Sequence, residues 1–571
     1  MNNIPSSTIV TERVDDIPLL LNHMIQMGIH DILDAHFPTH DNWGGISLGW
    51  TALIWLTHVL SQADHRLNRV QDWVTKHRQT ISTVTGLAIN PSDFTDDRLA
   101  AVLRHLSIDK SWQKYEQEQG KHIIRVYPLG TDRVRLDATT ASSHIEPSEN
   151  RLFQLGHSKD HRPDLAQVKI MLASLDPLGL PLVTQVVSGN EADDPLYEPA
   201  IEQVRTLLNQ EGILYVGDCK MAAIGTRAAI EHAHDYYLMP LPATIITPEV
   251  LDRYLQVGSY NQIIEPIYRF HNDGEAQEMA QGFEIIETVT GQVYGETISW
   301  QERRLVIRSI NYAQAQKNSL NKRLKKAKKE ISDLTRPRSG YKCITILDLF
   351  WPTVNDILKQ NNVEGLLEID AVESTIEQQR RGYRGKPARV ETKQVLNVHV
   401  QDNEEAQDEA IRCLGWRVYA TNAPSEGLSL NAAVLAYREE YIIERGFGRL
   451  KGKPLSLTPM YLQRDDHATG LIRLLTIGLR ILTLLEFVVR SQLAEAETDI
   501  AGLYAGNPKR STARPTSEAL LRAFNYIDLI IIKGDGSTSC HLTPLTVLQQ
   551  RILELLGFSS AIYTQIIEGF S

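Results

Sequence analysis

The sequence predicts an α/β protein with a helical N-terminal region and a β-rich segment set into its α/β part. Up to about residue 125, apolar residues recur at helical spacing. Past Tyr127 the pattern changes to strand, strand, strand, helix, strand, helix, strand, an α/β layout with a mixed sheet. From about Ala243 to 412 this alternation is lost, and it then resumes. A chain of 571 residues exceeds one ordinary core. The expected parts are a helical domain (1–125), a first core half (126–242), an insertion (243–412), a second core half (413–490) and a helical tail (491–571).

In the first part, "DIPLLLNHMIQMGIHDILDAHF" is amphipathic and "SLGWTALIWLTHVLSQ" nearly all apolar. "SDFTDDRLAAVLRHLS" starts with Ser92 or Thr95 as a cap before acids in the first turn. "RVRLDATTAS" alternates and reads as a strand. "QVKIMLASLDPLGLPLVTQVVSG" reads as two strands joined by a turn at Asp176-Pro177-Leu178-Gly179. "DPLYEPAIEQVRTLLNQ" is a helix, "GILYVGDCKM" a strand, "AAIGTRAAIEHAH" a helix and "YYLMPLP" a strand. After the insertion come the strand of "GWRVYATNAP" and the helix "NAAVLAYREEYIIERGFGRLKG".

Composition is that of a soluble globular protein, 42% hydrophobic and 23% charged. The N-terminus has no basic start before an apolar run, so no secretory signal is read there. The four cysteines lie far apart without a C-x-x-C pair, which fits a reducing cytosol and suggests neither a zinc knuckle nor a disulfide framework. The formal net charge of −11 argues against a nucleic-acid coat protein. It leaves DNA binding open, because local patches supply the footprint. "HATGLIRLLTIGLRILTLLEFVVR" is long and apolar, but Arg473, Arg480 and Glu486 interrupt it. A buried helix is expected there, not a membrane span.

Three acids stand in matching places. Asp137 lies in the first strand, Asp218 closes the fourth, and Glu444 lies within "YREEYIIERGFGRLKG". Each alone has an ordinary explanation: a strand-end Asp caps a turn, and a helical Glu faces water. The first strand is expected to be central with the fourth beside it. Two aspartates on adjacent strands and a glutamate from a covering helix make one acidic pocket. Packed unpaired carboxylates repel and raise each other's pKa. Hard divalent cations, Mg²⁺ or Mn²⁺, relieve this, and a pair of them about 4 Å apart clamps a phosphodiester.

With these motifs in place, the chain resembles DDE transposases of bacterial insertion sequences, in the branch with a β-rich insertion before the glutamate. That branch carries a Y-x2-R-x3-E-x6-K signature. Tyr437, Glu444 and Lys451 fall on its spacing, whereas Glu440 stands at the Arg position and Arg438 lies two residues early. "GDCKM", with Lys220 and Met221, is similar to the stretch after the second Asp. "GHSKDHRPDLAQVKIML" and "YATNAP" are similar to the segments after the first Asp and before the Glu helix. The resemblance implies a ribonuclease H-like core in which Asp137, Asp218 and Glu444 hold two Mg²⁺ (or Mn²⁺) ions. It implies cleavage at terminal inverted repeats, then attack of the freed 3′-OH on target DNA. The protein is expected to work as a homodimer on double-stranded DNA, in the cytoplasm at the nucleoid.

Tyr437, Glu444 and Lys451, seven residues apart, are expected on one face of one helix. A cation there meets DNA phosphate. Lys159, His161 and Arg162, in "HSKDHRPD", are expected to touch DNA as a loop; a metal site at His157 and His161 is discounted. A helix carrying Lys322, Arg323, Lys325, Lys326, Lys328 and Lys329 is read as a phosphate-contacting surface, with a plain solvated face as the alternative. Arg380, Arg381 and Arg384 in "RRGYRGKPAR" form a second candidate. Two other readings stand: a metal-dependent nuclease without strand transfer, and a DNA-binding descendant without catalysis.

Overall fold

The computed structural model describes residues 8–148, 151–260, 263–270, 274–336, 343–381, 387, 389–534 and 537–568. It begins with β1 (Thr8–Arg13). Seven helices follow: α1 (Ile17–Gln26), α2 (Ile29–His36), α3 (Leu48–Gln62), α4 (Leu67–Lys76), α5 (Arg78–Thr85), α6 (Asp96–Leu106) and α7 (Asp109–Val126). Next come β2 (Arg133–Ser143), β3 (Ala166–Leu175), β4 (Leu180–Ser188), α8 (Asp194–Leu208), β5 (Leu214–Val216), α9 (Ile224–His232) and β6 (Tyr236–Pro240). The middle of the chain forms α10 (Pro248–Tyr260), β7 (Glu265–Phe270), β8 (Ala276–Val293), β9 (Glu296–Ser309), α11 (Ile310–Asp333) and α12 (Leu347–Gln360). It continues through β10 (Leu367–Arg380), β11 (Arg389–Asp402), α13 (Glu404–Arg412) and β12 (Trp416–Thr421). The last part holds α14 (Leu430–Arg438), α15 (Tyr441–Lys451), α16 (Asp465–Glu495), β13 (Ile500–Ala501), β14 (Ser511–Thr512) and α17 (Ser517–Arg522). It ends with β15 (Asp528–Gly534), β16 (Ser537–Leu542), α18 (Val547–Leu555) and α19 (Ala561–Glu568).

Two compact units result. The first comprises Met1–Met239, Val289–Trp300 and Ala436–Ser571, and the second Pro240–Thr288 and Gln301–Leu435. In the first unit the strands run in the order β4-β3-β2-β5-β6. β2, β3 and β4 pair antiparallel, whereas β5 and β6 join β2 in parallel. Every residue of β3 is buried, because helices pack over this sheet; this is why its sequence reads as a continuous apolar run. The β3–β4 turn closes at Gly179, whose φ of +73° suits glycine.

The long apolar segment near the C-terminus is α16, 31 residues, buried over most of its length. Its charges are compensated inside the protein. Arg473 pairs with Asp109, Arg480 with Glu116, and Glu486 with three arginines. Among the described residues no helix is long and apolar enough to cross a membrane. α16 and α6 pack so closely at Gly470 that a Cβ there would collide with the Leu103 carbonyl. Gly448 in α15 faces open space instead. Gly470→Ala is therefore expected to destabilise the protein by roughly 1–3 kcal/mol. Gly448→Ala is expected to be neutral or to stabilise by about 0.5–1 kcal/mol. Thermal midpoints of the two variants check this; equal midpoints would contradict it.

Two local expectations need correction. Thr8–Arg13 is a strand, not part of an all-helical start, and it pairs antiparallel with Asp528–Gly534, which pairs with Ser537–Leu542. The tail is thus partly β. A six-residue strand needs a partner more than 500 residues away in sequence, and local periodicity carries no trace of that partner.

The second unit is β-rich. It contains the strand order β12-β9-β8-β7 and a separate two-stranded hairpin of β10 and β11. Under the hairpin lies a core in which α11 contributes Leu320, Leu324, Ala327 and Ile331, one stripe at helical spacing.

Candidate active site

The register of the central strands positions the first two acids. β2 pairs in parallel with β5 as Arg133 with Leu214, Val134 with Tyr215 and Arg135 with Val216. Two residues further along both chains stand Asp137 and Asp218. Parallel strands advance equally, so both aspartates arrive at the same edge of the sheet. Glycine at 217 ends β5, and Asp218 caps a short 3₁₀ turn, Cys219–Ala222.

Each carboxylate is fixed through one oxygen. Asp218 Oδ1 accepts from the Lys220 amide at 2.8 Å and from the Tyr197 hydroxyl at 2.6 Å. Asp137 Oδ1 accepts from the Ala138 amide at 2.7 Å and from Lys159 Nζ at 3.2 Å. Neither Oδ2 accepts a hydrogen bond among the described residues. Burial, and secondarily the charge of Asp218, push the Asp137 pKa up to about 6 against the pull of Lys159. Tyr197 is raised well above its ordinary value by burial and then by Asp218 and Asp137, so it remains a hydroxyl donor. Lys159 is raised, with burial opposing the net attraction of Asp137, Asp193 and Asp218.

Lys159 also donates to the Ala138 carbonyl and lies 4.0 Å from Asp193. Asp193 in turn pairs with Lys169 at 2.5 Å. The sequence reading missed Tyr197, Asp193 and Lys169. "EADDPLYEP", acids followed by a buried aromatic at the start of α8, carries the signal of Asp193 and Tyr197, whereas Lys169 stands within the apolar run "QVKIML".

Carboxylate oxygens are the donor type that a hard divalent cation takes. Two adjacent carboxylates each keep an oxygen free, and an ammonium group already sits against one of them. The third acid is not joined to them. Among the described residues no group of three or more His, Cys, Asp or Glu is placed to hold a metal ion. Glu444 is exposed on α15, which packs against β2, and no hydrogen bond links it to either aspartate among the described residues.

The expectation of one continuous helix from Tyr437 to Lys451 is corrected. The chain breaks at Glu439 and Glu440, leaving Tyr437 in α14 and Glu444 with Lys451 in α15. Tyr437 is buried, and its carbonyl and that of Ala436 face the Arg135 guanidinium. At the break Glu439 pairs with Arg133 at 3.0 Å. Lys451 pairs with Asp160 at 2.5 Å, tying the end of α15 to the loop that carries Lys159.

The remaining predicted contacts are distributed as follows. Arg162 forks onto Asp164 at 2.9 and 2.8 Å, and His161 is exposed at a positive φ of 56°. In the second unit, Lys322, Lys325, Lys326 and Lys329 form an exposed stripe opposite the apolar stripe of α11. Lys326 lies 3.8 Å from Glu330 within the helix. Arg323 instead caps the carbonyls of Asn361 and Asn362, and Lys328 pairs with Asp402. Arg381 is exposed. Arg384 lies outside the described residues, and Arg380 is described only as the last residue of β10.

The raised Asp137 pKa has a stability consequence. A carboxylate at about 6 when folded, against 3.8 unfolded, carries no cost below pH 3.8. The cost grows as pH rises through 6, to about 3 kcal/mol at pH 7.5. Asp137→Asn is therefore expected to be more stable than the wild type at pH 7.5 and to lose that advantage by pH 4. A lower midpoint for the variant at pH 7.5 would contradict this.

No curated protein matches this chain. Among solved structures, the cryo-EM structure of a piggyBac transposase synaptic complex with hairpin DNA is similar over 50% of this chain and 59% of that chain. The identity is 11% and the TM-score 0.24, too loose a similarity to carry an argument. The family model described as the transposase DDE domain matches residues 130–480, a stretch that begins just before β2, contains Asp137, Asp218 and Glu444, and ends within α16. The chain belongs to the transposase DDE domain family.

Proposed function

We propose that this protein is a cut-and-paste DNA transposase whose chemistry is carried by Asp137 and Asp218, completed by Glu444. The observation that carries the reading is the parallel register that delivers both aspartates to one sheet edge, inside the segment that matches the family. Three antiparallel strands followed by two parallel ones support a ribonuclease H-like core. Residues 243–412 are read as an insertion between the second Asp and the Glu.

Two Mg²⁺ or Mn²⁺ ions held by these acids would supply Lewis-acid stabilisation of the scissile phosphate. The chain's own residues do the rest. Tyr197 and the Lys220 amide fix Asp218 with its second oxygen free. Lys159 compensates Asp137 within the buried site and keeps its carboxylate oriented. Lys451 anchors the Glu444 helix to the Lys159 loop through Asp160. Glu440, in place of the signature Arg, starts that helix. The Lys322, Lys325, Lys326 and Lys329 stripe supplies phosphate contacts, with His161, Arg162, Arg323, Arg380, Arg381 and Arg384 as further candidates. The substrates are the terminal inverted repeats and target DNA, bridged by a homodimer in the cytoplasm at the nucleoid.

The test is a joining assay. Labelled duplex carrying the sequence that flanks the gene is incubated with supercoiled plasmid and Mg²⁺ or Mn²⁺. Label covalently joined to plasmid is expected. Cleavage without joining would establish the nuclease reading, and binding without cleavage the non-catalytic one.

A further inference from the structure

About a third of a turn round α15 from Glu444, Arg445 and Arg449 turn to one buried carboxylate, which a third arginine joins from α16. Glu486 on α16 pairs with Arg445 at 2.5 Å, with Arg449, and with Arg490 at 3.1 Å, and it accepts the Ser517 amide at 2.9 Å. Arg449 also forks onto Glu518 at 2.9 and 3.0 Å. Arg514 is exposed, and its side chain makes no ion pair among the described residues. Glu439, at the rim, is engaged by Arg133.

The four arginines, Glu486 and Glu439 line a cavity of about 380 Å³, with the turn Pro177–Gly179 on one side. Four guanidinium groups thus share two carboxylates, Glu486 and Glu518, and two positive charges are left over. Burial first, and then the charges of Arg445, Arg449 and Arg514 against the attraction of Glu486, lower the Arg490 pKa. Such repulsion is relieved by an anion. Guanidinium forks match the oxygens of a phosphate, and the partial exposure of Arg445 and Arg514 leaves the cavity open to a polymer.

We propose that the cavity lined by Arg445, Arg490 and Arg514 seats a backbone phosphate of DNA, holding the duplex against the helix that carries Glu444. This rests on the reading that the protein acts on DNA. The phosphate contact is independent of base sequence, so it positions the DNA and does not choose it.

The experiment measures binding of the full chain to a labelled duplex of the flanking sequence and to a scrambled duplex, across salt. Arg514→Gln and Arg445→Gln/Arg514→Gln are run beside Lys322→Gln/Lys325→Gln/Lys329→Gln. Arg514 holds no ion pair, so its variant is expected to melt like the wild type. Each neutralised phosphate contact contributes about 0.9 to the slope of log affinity against log salt. The expected result is a slope lower by about one for the double variant, which loses the one seated phosphate, with part of that loss already present in Arg514→Gln, on both duplexes alike. Wild-type affinity and slope in both variants, with the lysine variant weakened, would overturn the site and leave the DNA reading standing. A wild type that binds neither duplex would overturn the DNA reading and the site with it. Thermal stabilisation of the wild type by millimolar inorganic phosphate, absent in Arg514→Gln while the DNA slopes stay equal, would assign the cavity to free phosphate and overturn the DNA site.

Discussion

Asp218→Asn is expected to abolish DNA cleavage, by on the order of 10³-fold or more, while leaving the fold intact. The amide oxygen can still accept from Tyr197 and from the Lys220 amide, so the strand end keeps its shape. The variant loses the negative charge, and with it the ability of this sheet edge to attract a divalent cation and stabilise a phosphate in transition. Tyr197→Phe is a graded companion. It removes one hydrogen bond to a carboxylate, worth about 1.5–3 kcal/mol, and is expected to cost roughly tenfold to a hundredfold. Cleavage rates at saturating Mg²⁺ check both. An active Asp218→Asn variant would remove Asp218 from the site.

The second large effect concerns Arg480. This guanidinium is fully buried in α16, where it contacts Glu116, the Gln119 side chain at 2.7 Å, and the carbonyls of Pro181 at 2.9 Å and Leu182 at 3.2 Å. It therefore fastens α16 to α7 and to β4 at once. Glu116 is itself buried, and burial raises its pKa despite the pull of Arg480. Arg480→Met strands that carboxylate and is expected to destabilise the protein by about 3–5 kcal/mol at neutral pH. The folded pKa of Glu116 then lies further above its unfolded value. The loss is thus smallest in acid, where Glu116 is protonated, and grows as pH rises. The double variant Glu116→Met/Arg480→Met is expected to recover most of the loss, because a buried pair costs about as much to desolvate as it returns. Midpoints at pH 5 and 7.5 check this; equal losses at both would contradict it.

How much of this was legible in the sequence follows from which signals are local. β2 to β6 were readable because apolar runs, turn residues and helical spacing alternate cleanly, and the Asp176–Gly179 turn marks its own position. Asp137 and Asp218 stand out in the sequence because one interrupts a strand pattern and the other closes an apolar strand. The break at Glu439 and Glu440 was not, since "AYREEYIIERG" keeps helical propensity throughout. Glu439 there pairs with Arg133, a partner more than 300 residues away in the chain. Lys159 is expected from its loop to touch DNA; its ammonium also pairs with the half-buried Asp137 and lies 4.0 Å from Asp193, partners that no local pattern announces. Tyr197 and β1 escaped for the same reason: their partners lie elsewhere in the chain.

The most direct test of the acid pair is divalent-ion-dependent cleavage of a labelled duplex bearing the flanking sequence, with wild type, Asp137→Asn and Asp218→Asn compared in Mg²⁺ and in chelator. Cuts are expected from the wild type only with the ion present, and none from either variant although both bind the duplex. Cleavage by a variant, or equal cleavage in chelator, would contradict it.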